Sequence, residues 1–473
     1  MNRQPSQSFP HPAGLRTALD ALASRRITAK GLTEAAIRRA QACQQALNAF
    51  AVIDGERALQ AAAESDRRYG EGSHRPLEGL PIAIKDLIDT QDIETRYGSA
   101  ACRGNVPAAD ADIVKALTEC GAIVIGKTTT HEFAWGVTTA SPSFGDTLNP
   151  LDPARIPGGS SGGAAAAIAH GAVVAGVGTD TGGSVRIPAA LCGVVGFKPT
   201  LGTLSTRGVF PLAPTCDHVG LLGARVDDVR VLANAVGIAT PPVDARRCAR
   251  LGIVRHIAPV PLSGEVASAF DAVVERLARR YACEDLGGCQ RSDAMFDAVF
   301  DAFATIVLIE GGIEHLRRHD WERIATHYNP ETVDRLRRAQ AMDLRAYATA
   351  QQARRDFTAR LHAAMSTFDF LVLPTCPCTA PPRDAGTVDI GAWTGTVREA
   401  LMTYTAPFNV AGFPAISIPL PSRHGGLPAA LQIVARPGGD GALLQLAQQV
   451  ESMLGPASVA PDLPDHTTTR RPE

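Results

Sequence analysis

Two serines flanked by glycine carry the strongest chemical signal in the chain. Ser160 lies in GGSSGG and Ser184 in DTGGSVR, 24 residues apart in a stretch, 158–196, that holds eleven glycines in 39 residues. Asp180 and Arg186 are its only formally charged side chains. Glycine beside a serine lets backbone approach closely or adopt positive φ, so both serines sit where tight turns are allowed. The Ala-rich run and the apolar run between them read as a helix and a buried strand, a path that doubles back and brings the turns together. A serine hydroxyl becomes a useful nucleophile only when a base takes its proton. Lys85 follows the apolar run PIAI. A lysine at the end of a buried strand is desolvated and partly neutral, and a neutral lysine is a competent base. On position alone, a snorkelling surface lysine is the plainer reading of Lys85.

Two better-known motifs fit poorly. GAIVIGKT at 121–128 matches the phosphate-loop pattern, but its middle residues Ala122, Ile123, Val124 and Ile125 belong inside a strand, where no phosphate cradle forms. GGSSG at 158–162 matches a nucleophile elbow, which needs a buried strand leading into the serine. The preceding TLNPLDPARIP is a proline-punctuated loop. No downstream histidine stands in a distinctive context, and His315 with His319 reads as a solvated helix face.

The elements that must position these residues follow from the texture of the chain. Residues 13–75 begin with helical spacing rich in Ala, Leu, Arg and Glu and read as helices packed on a core. From 76 to 240, short apolar runs (PIAI, GAIVIGKT, AVVAGVGTD) alternate with helical stretches, the pattern of an α/β sheet with covering helices. Residues 241–370 read as a helical insert that could cover a site as a lid. Residues 371–458 return to the core sheet with FDFLVLP and PAISIPLP and then an amphipathic helix. Residues 1–12 read as a disordered tail and 459–473 as a polar tail.

With 473 residues, 45% hydrophobic and 20% charged, the chain has ordinary globular composition. Its formal net charge of −2 offers no bulk attraction to nucleic acid or to an anionic membrane. Neither a signal peptide nor an apolar run long enough to span a membrane is read, so the expected location is cytoplasmic. Ten irregularly spaced cysteines, CPC at 376–378 included, read as buried thiols with no metal site. The expected cofactor is none.

Several separated motifs, in order, resemble the amidase signature family: LEGLPIAIKD, GKTTTHEFAWG, NPLDPARIPGGSS, GTDTGGSVRIPA, GFKPT and TAPFNVAGFPAISIP. The likeness runs over roughly residues 13–455. It implies a single large α/β domain, a central mixed β-sheet with helices on both faces and a helical insert. It also implies a Ser–cis-Ser–Lys triad, with Ser184 as nucleophile, Ser160 as the bridging serine on a cis peptide bond and Lys85 as base. The oxyanion hole would be the backbone N–H groups of Thr181, Gly182, Gly183 and Ser184, with Asp180, Arg186 and Ser161 as supports. Backbone donors can stabilise a tetrahedral oxyanion without any charged side chain. Thr129 departs from the Asn often found after GKT in relatives.

For the substrate pocket, the segments 133–144 and 404–413 are expected as walls. Trp135, Gly136, Phe144, Tyr404 and Phe408, with Phe133 and Phe413, suggest an apolar or aromatic substrate group. The activity implied is hydrolysis of an aryl or acyl amide through an acyl-enzyme, with ester and carbamate (urethane) hydrolysis alongside. The competing reading is a glutamine amidotransferase component of the A type that releases ammonia inside a complex. Expected partners are a small amide, ester or carbamate substrate, no nucleic acid and no membrane, in a monomer or homodimer.

Overall fold

The run Pro81–Lys85 is apolar up to its last residue, and in the computed structural model it forms strand β2, buried along its whole length. The structure describes residues 14–240, 249–286, 295–421 and 426–455. The expected tails, 1–12 and 459–473, lie outside the described residues.

Parallel to β2 on its two sides run β3 (Ile123–Thr128) and β4 (Ala175–Asp180), with Lys85 opposite Thr128 and Ala83 opposite Gly176. Strands buried on both faces need continuous apolar runs, which is why all three are legible in the sequence. β1 (Phe50–Ile53) closes this edge antiparallel to β3. Beyond β4 come β6 (His218–Gly223), β5 (Val195–Lys198), β12 (Ala415–Pro419), β13 (Ala430–Ala435) and β9 (Phe370–Pro374), each antiparallel to the strand before it in the sheet. β7 (Arg250–Ile253) and β8 (Ala282–Asp285) then extend the sheet in parallel. The order among the described residues is β1-β3-β2-β4-β6-β5-β12-β13-β9-β7-β8. A separate hairpin pairs β10 (Thr387–Ile390) with β11 (Trp393–Thr396). The stretch 241–370 is thus more than helix. It supplies β7 and β8 to the sheet edge, on either side of the helix Gly264–Ala278.

Alternation along β9 divides the core in two. Phe370 and Val372 join one apolar cluster, Leu371 and Leu373 the other. Since side chains alternate across a strand, the clusters lie on opposite faces of the sheet. On one face pack Leu15–Ala23, Ala29–Leu47, Gly162–Ala169, Val226–Ala235, Gly264–Ala278 and Asp440–Leu454. On the other pack Val299–Arg318, Leu344–Ala364, Val397–Thr403 and Ala406–Val410. The helix Gly162–Ala169 is buried on every side, which its run of alanines permits. No described helix is long and apolar enough to cross a membrane.

Candidate active site

The end of β2 delivers Lys85 into the protein interior, not to its surface. Its Nζ lies 2.7 Å from Ser160 Oγ and 2.7 Å from Thr179 Oγ1, the latter on neighbouring β4. Lys85 is fully buried. That burial drives its pKa well below the ordinary lysine value, against the opposing pull of Asp180 and Asp217. The shift favours the neutral amine, next to a serine hydroxyl.

Ser160 sits in the turn before the helix Gly162–Ala169, and the Gly159–Ser160 peptide bond is cis. Thr139 holds this turn, donating from Oγ1 to Gly158 O at 2.7 Å and accepting from Gly162 N at 3.1 Å. Ser184 sits in the turn before the helix Arg186–Cys192. One bond ties the turns together: Ser161 N–H donates to Ser184 O at 3.1 Å. Ser161 Oγ also donates to Thr179 O at 3.2 Å, joining the serine turn to the strand that touches Lys85.

Asp180 organises the second turn. Its carboxylate accepts from the N–H of Gly183 at 2.8 Å and of Val185 at 3.2 Å, and Arg186 bridges it through Nε at 3.0 Å and Nη2 at 2.9 Å. Burial alone would raise this carboxyl, but Arg186, with Lys198 and Asn409, holds it well below the usual range. Of the four N–H groups expected to form the oxyanion hole, that of Gly183 is bonded to the Asp180 carboxylate. Thr181, Gly182 and Ser184 themselves line the pocket beside this turn.

The slot is narrow, and Ala134, Trp135, Gly136, Val137, Leu212, Phe303, Val307, Arg398 and Met402 complete its lining. Phe303 and Val307 come from the helix Val299–Arg318, which forms one wall. Trp135 and Gly136 therefore fall where the sequence reading put them. Phe144 does not: it lines a different cavity with Asn48, Asp86 and Arg96. Tyr404 and Phe408 are fully buried, and Tyr404 OH donates to Val260 O at 2.8 Å, so both pack in the core. Phe133 and Phe413 are also core. His315 is not on a solvated face. It is buried, stacks on Trp135 with ring centroids 5.7 Å apart, and is pushed down to about 3 by burial.

Lys127 in the GKT run lies inside β3, its Nζ held by Ile88 O, Thr90 Oγ1 and Thr95 Oγ1, so the phosphate-loop pattern is a strand. Sequence reasoning missed Thr179, Asn409, Gln432, Thr405 and Arg398. Asn409 and Gln432 hold Arg186, and Thr405 donates to Gly182 O at 2.7 Å.

The Amidase family model matches residues 31–444. A glutamyl-tRNA(Gln) amidotransferase subunit from Chloroflexus aurantiacus is 33% identical over 94% of this chain and 97% of its own. AtzE, a 1-carboxybiuret hydrolase subunit from Pseudomonas sp. (strain ADP), is also 33% identical, over 92% of this chain and 97% of its own. A crystal structure of an amidase superposes with a TM-score of 0.86 at 33% identity, covering 93% of this chain and all of that one.

Proposed function

The chain belongs to the amidase family, and from that membership we propose that it hydrolyses small aryl or acyl amides through an acyl-enzyme on Ser184. Esters and carbamates (urethanes) are expected as further substrates. The observation that carries the reading is the contact of buried, neutral-leaning Lys85 with Ser160 at 2.7 Å, one tie away from Ser184. Lys85 Nζ takes the Ser160 proton as Ser160 Oγ takes that of Ser184, and Ser184 Oγ bonds to the substrate carbonyl carbon. The oxyanion accepts from the backbone N–H groups of Thr181, Gly182 and Ser184, an interaction of about 3–4 kcal/mol per donor. The proton returns through Ser160 to the departing nitrogen as the C–N bond breaks. Water, deprotonated by the same relay, then releases the acid. Family membership supports C–N hydrolysis, and the mainly apolar slot supports a small linear amide. The helix Val299–Arg318 would act as the cover of the slot, and the setting would be cytoplasmic, as a monomer or homodimer.

The amidotransferase reading draws support from the likeness to the Chloroflexus protein. Arg398 in the slot matches the carboxylate of glutamine, but no carboxylate of the described residues lines the slot to receive its ammonium. Steady-state rates on 4-nitroanilides, on an ester and a carbamate, and on glutamine test both readings, with gel filtration of the isolated chain. Turnover of anilides that Ser184→Ala abolishes is expected. Hydrolysis of glutamine alone would favour the amidotransferase reading, and full activity of Ser184→Ala would overturn the acyl-enzyme.

A further inference from the structure

Among the described residues, Arg398 is the one charged side chain in the lining of the slot that holds Ser184. It stands at the start of the helix Val397–Thr403, one turn before Met402, which lines the same slot. Its guanidinium makes no hydrogen bond or ion pair with any described residue. The neighbouring carboxylates are engaged elsewhere. Glu331 accepts from Arg335 and lies 3.2 Å from His131, while Glu399 accepts from Thr396 N at 2.8 Å and Thr396 Oγ1 at 2.9 Å. Arg335 and Arg338 add positive charge on the same side. Burial, then repulsion from Arg335, pushes Arg398 down to about 10, which still leaves it protonated near neutral pH.

A guanidinium carries five N–H donors in a planar fork, and Arg398, half-buried at the slot, offers that fork to whatever enters it. The remaining walls of the slot are mostly apolar, so a charge-assisted bond formed there is poorly screened. A carboxylate is the small group that matches the fork with two parallel bonds. We propose that the substrate amide carries a carboxylate and that Arg398 receives it, making Arg398 a specificity-determining residue of this site. The inference rests on Ser184 being the nucleophile. It sharpens the sequence expectation of an apolar substrate: the walls are apolar, but one contact is ionic.

The test is a matched series in which only the charge differs: malonamate against propionamide, succinamate against butyramide, glutaramate against valeramide. kcat/KM is measured for the wild type and for Arg398→Gln and Arg398→Lys, with thermal unfolding to establish that each variant folds. In the wild type at least one half-amide should exceed its neutral partner about tenfold or more, the effect of one charged hydrogen-bond pair, mainly through KM. Arg398→Gln should bring that ratio to about one, and Arg398→Lys should restore part of it. Ratios near one across the wild-type series, or a ratio that survives Arg398→Gln, would overturn the proposal while leaving amide hydrolysis intact. Turnover of neutral 4-nitroanilides with none of the six amides cleaved would overturn it likewise. Inactivity on every amide, anilides included, would overturn the hydrolase reading and this inference with it.

Discussion

Replacing Arg186 by Met should destabilise the fold more than any other single change at the site. Arg186 and Asp180 are both fully inaccessible to solvent. Besides its two bonds to Asp180, the guanidinium donates to Thr405 O at 3.0 Å, Gln432 Oε1 at 2.5 Å and Asn409 Oδ1 at 2.6 Å. Removing one partner of a buried ion pair costs about 3–5 kcal/mol. The three orphaned acceptors push the loss toward the upper end, about 5 kcal/mol, against a total stability of about 5–15 kcal/mol for a native domain. Urea unfolding of wild type and variant, followed by fluorescence, measures the difference. The double variant Asp180→Leu/Arg186→Met sharpens the test. Apolar replacement of both partners often restores stability, but here Asp180 also accepts from Gly183 N, Val185 N and Asn409 Nδ2. The double variant should therefore stay destabilised and inactive. A loss under about 1 kcal/mol for Arg186→Met, or a stable and active double variant, would refute this account of the turn.

Amide hydrolysis should rise with pH, because Lys85 works as the neutral base and burial lowers its pKa. The activity is present above that lowered value and lost as pH falls through it, so a kcat/KM profile should show its acid limb below the ordinary lysine range. Thr179→Val should remove one of the two partners of Lys85 Nζ and lower kcat about tenfold with little change in KM, while Thr179→Ser should keep most of the rate. Gly182→Ala should place a Cβ 2.3 Å from both Phe303 Cζ and Met402 Cε, cutting kcat/KM about tenfold or more, and Phe303→Ala in the same chain should recover part of it.

The elements near the site were readable because their physics is local. β2 and β3 open on apolar runs, β4 is built of small and apolar residues up to Thr179, the helix Gly162–Ala169 is mostly alanine, and Lys85 marks the end of its strand. The glycine pattern around Ser160 and Ser184 showed that two tight turns were allowed. Their union depends on one Ser161–Ser184 backbone bond, which no side-chain pattern announces. What failed to read out depends on which way a face turns. Tyr404 and Phe408 are aromatic residues in a segment flanking the slot, yet only Met402 and Arg398 of that region point into it. His315 opens a charged-looking run, but the helix Val299–Arg318 turns it inward against Trp135. Arg398 lies 214 positions beyond Ser184, in a stretch with no motif of its own. Likewise β7 and β8 are four-residue strands inside a mainly helical stretch, too short to stand out.

The central claim is that Ser184 carries the acyl group. Rapid quenching of the enzyme with a slowly deacylated 4-nitrophenyl ester or carbamate, followed by peptide mass spectrometry, locates that group directly. The account predicts one acyl group on the peptide containing Ser184, absent in Ser184→Ala and slow to form in Lys85→Ala. Acylation of Ser160 instead, or an unmodified Ser184 during turnover, would contradict it.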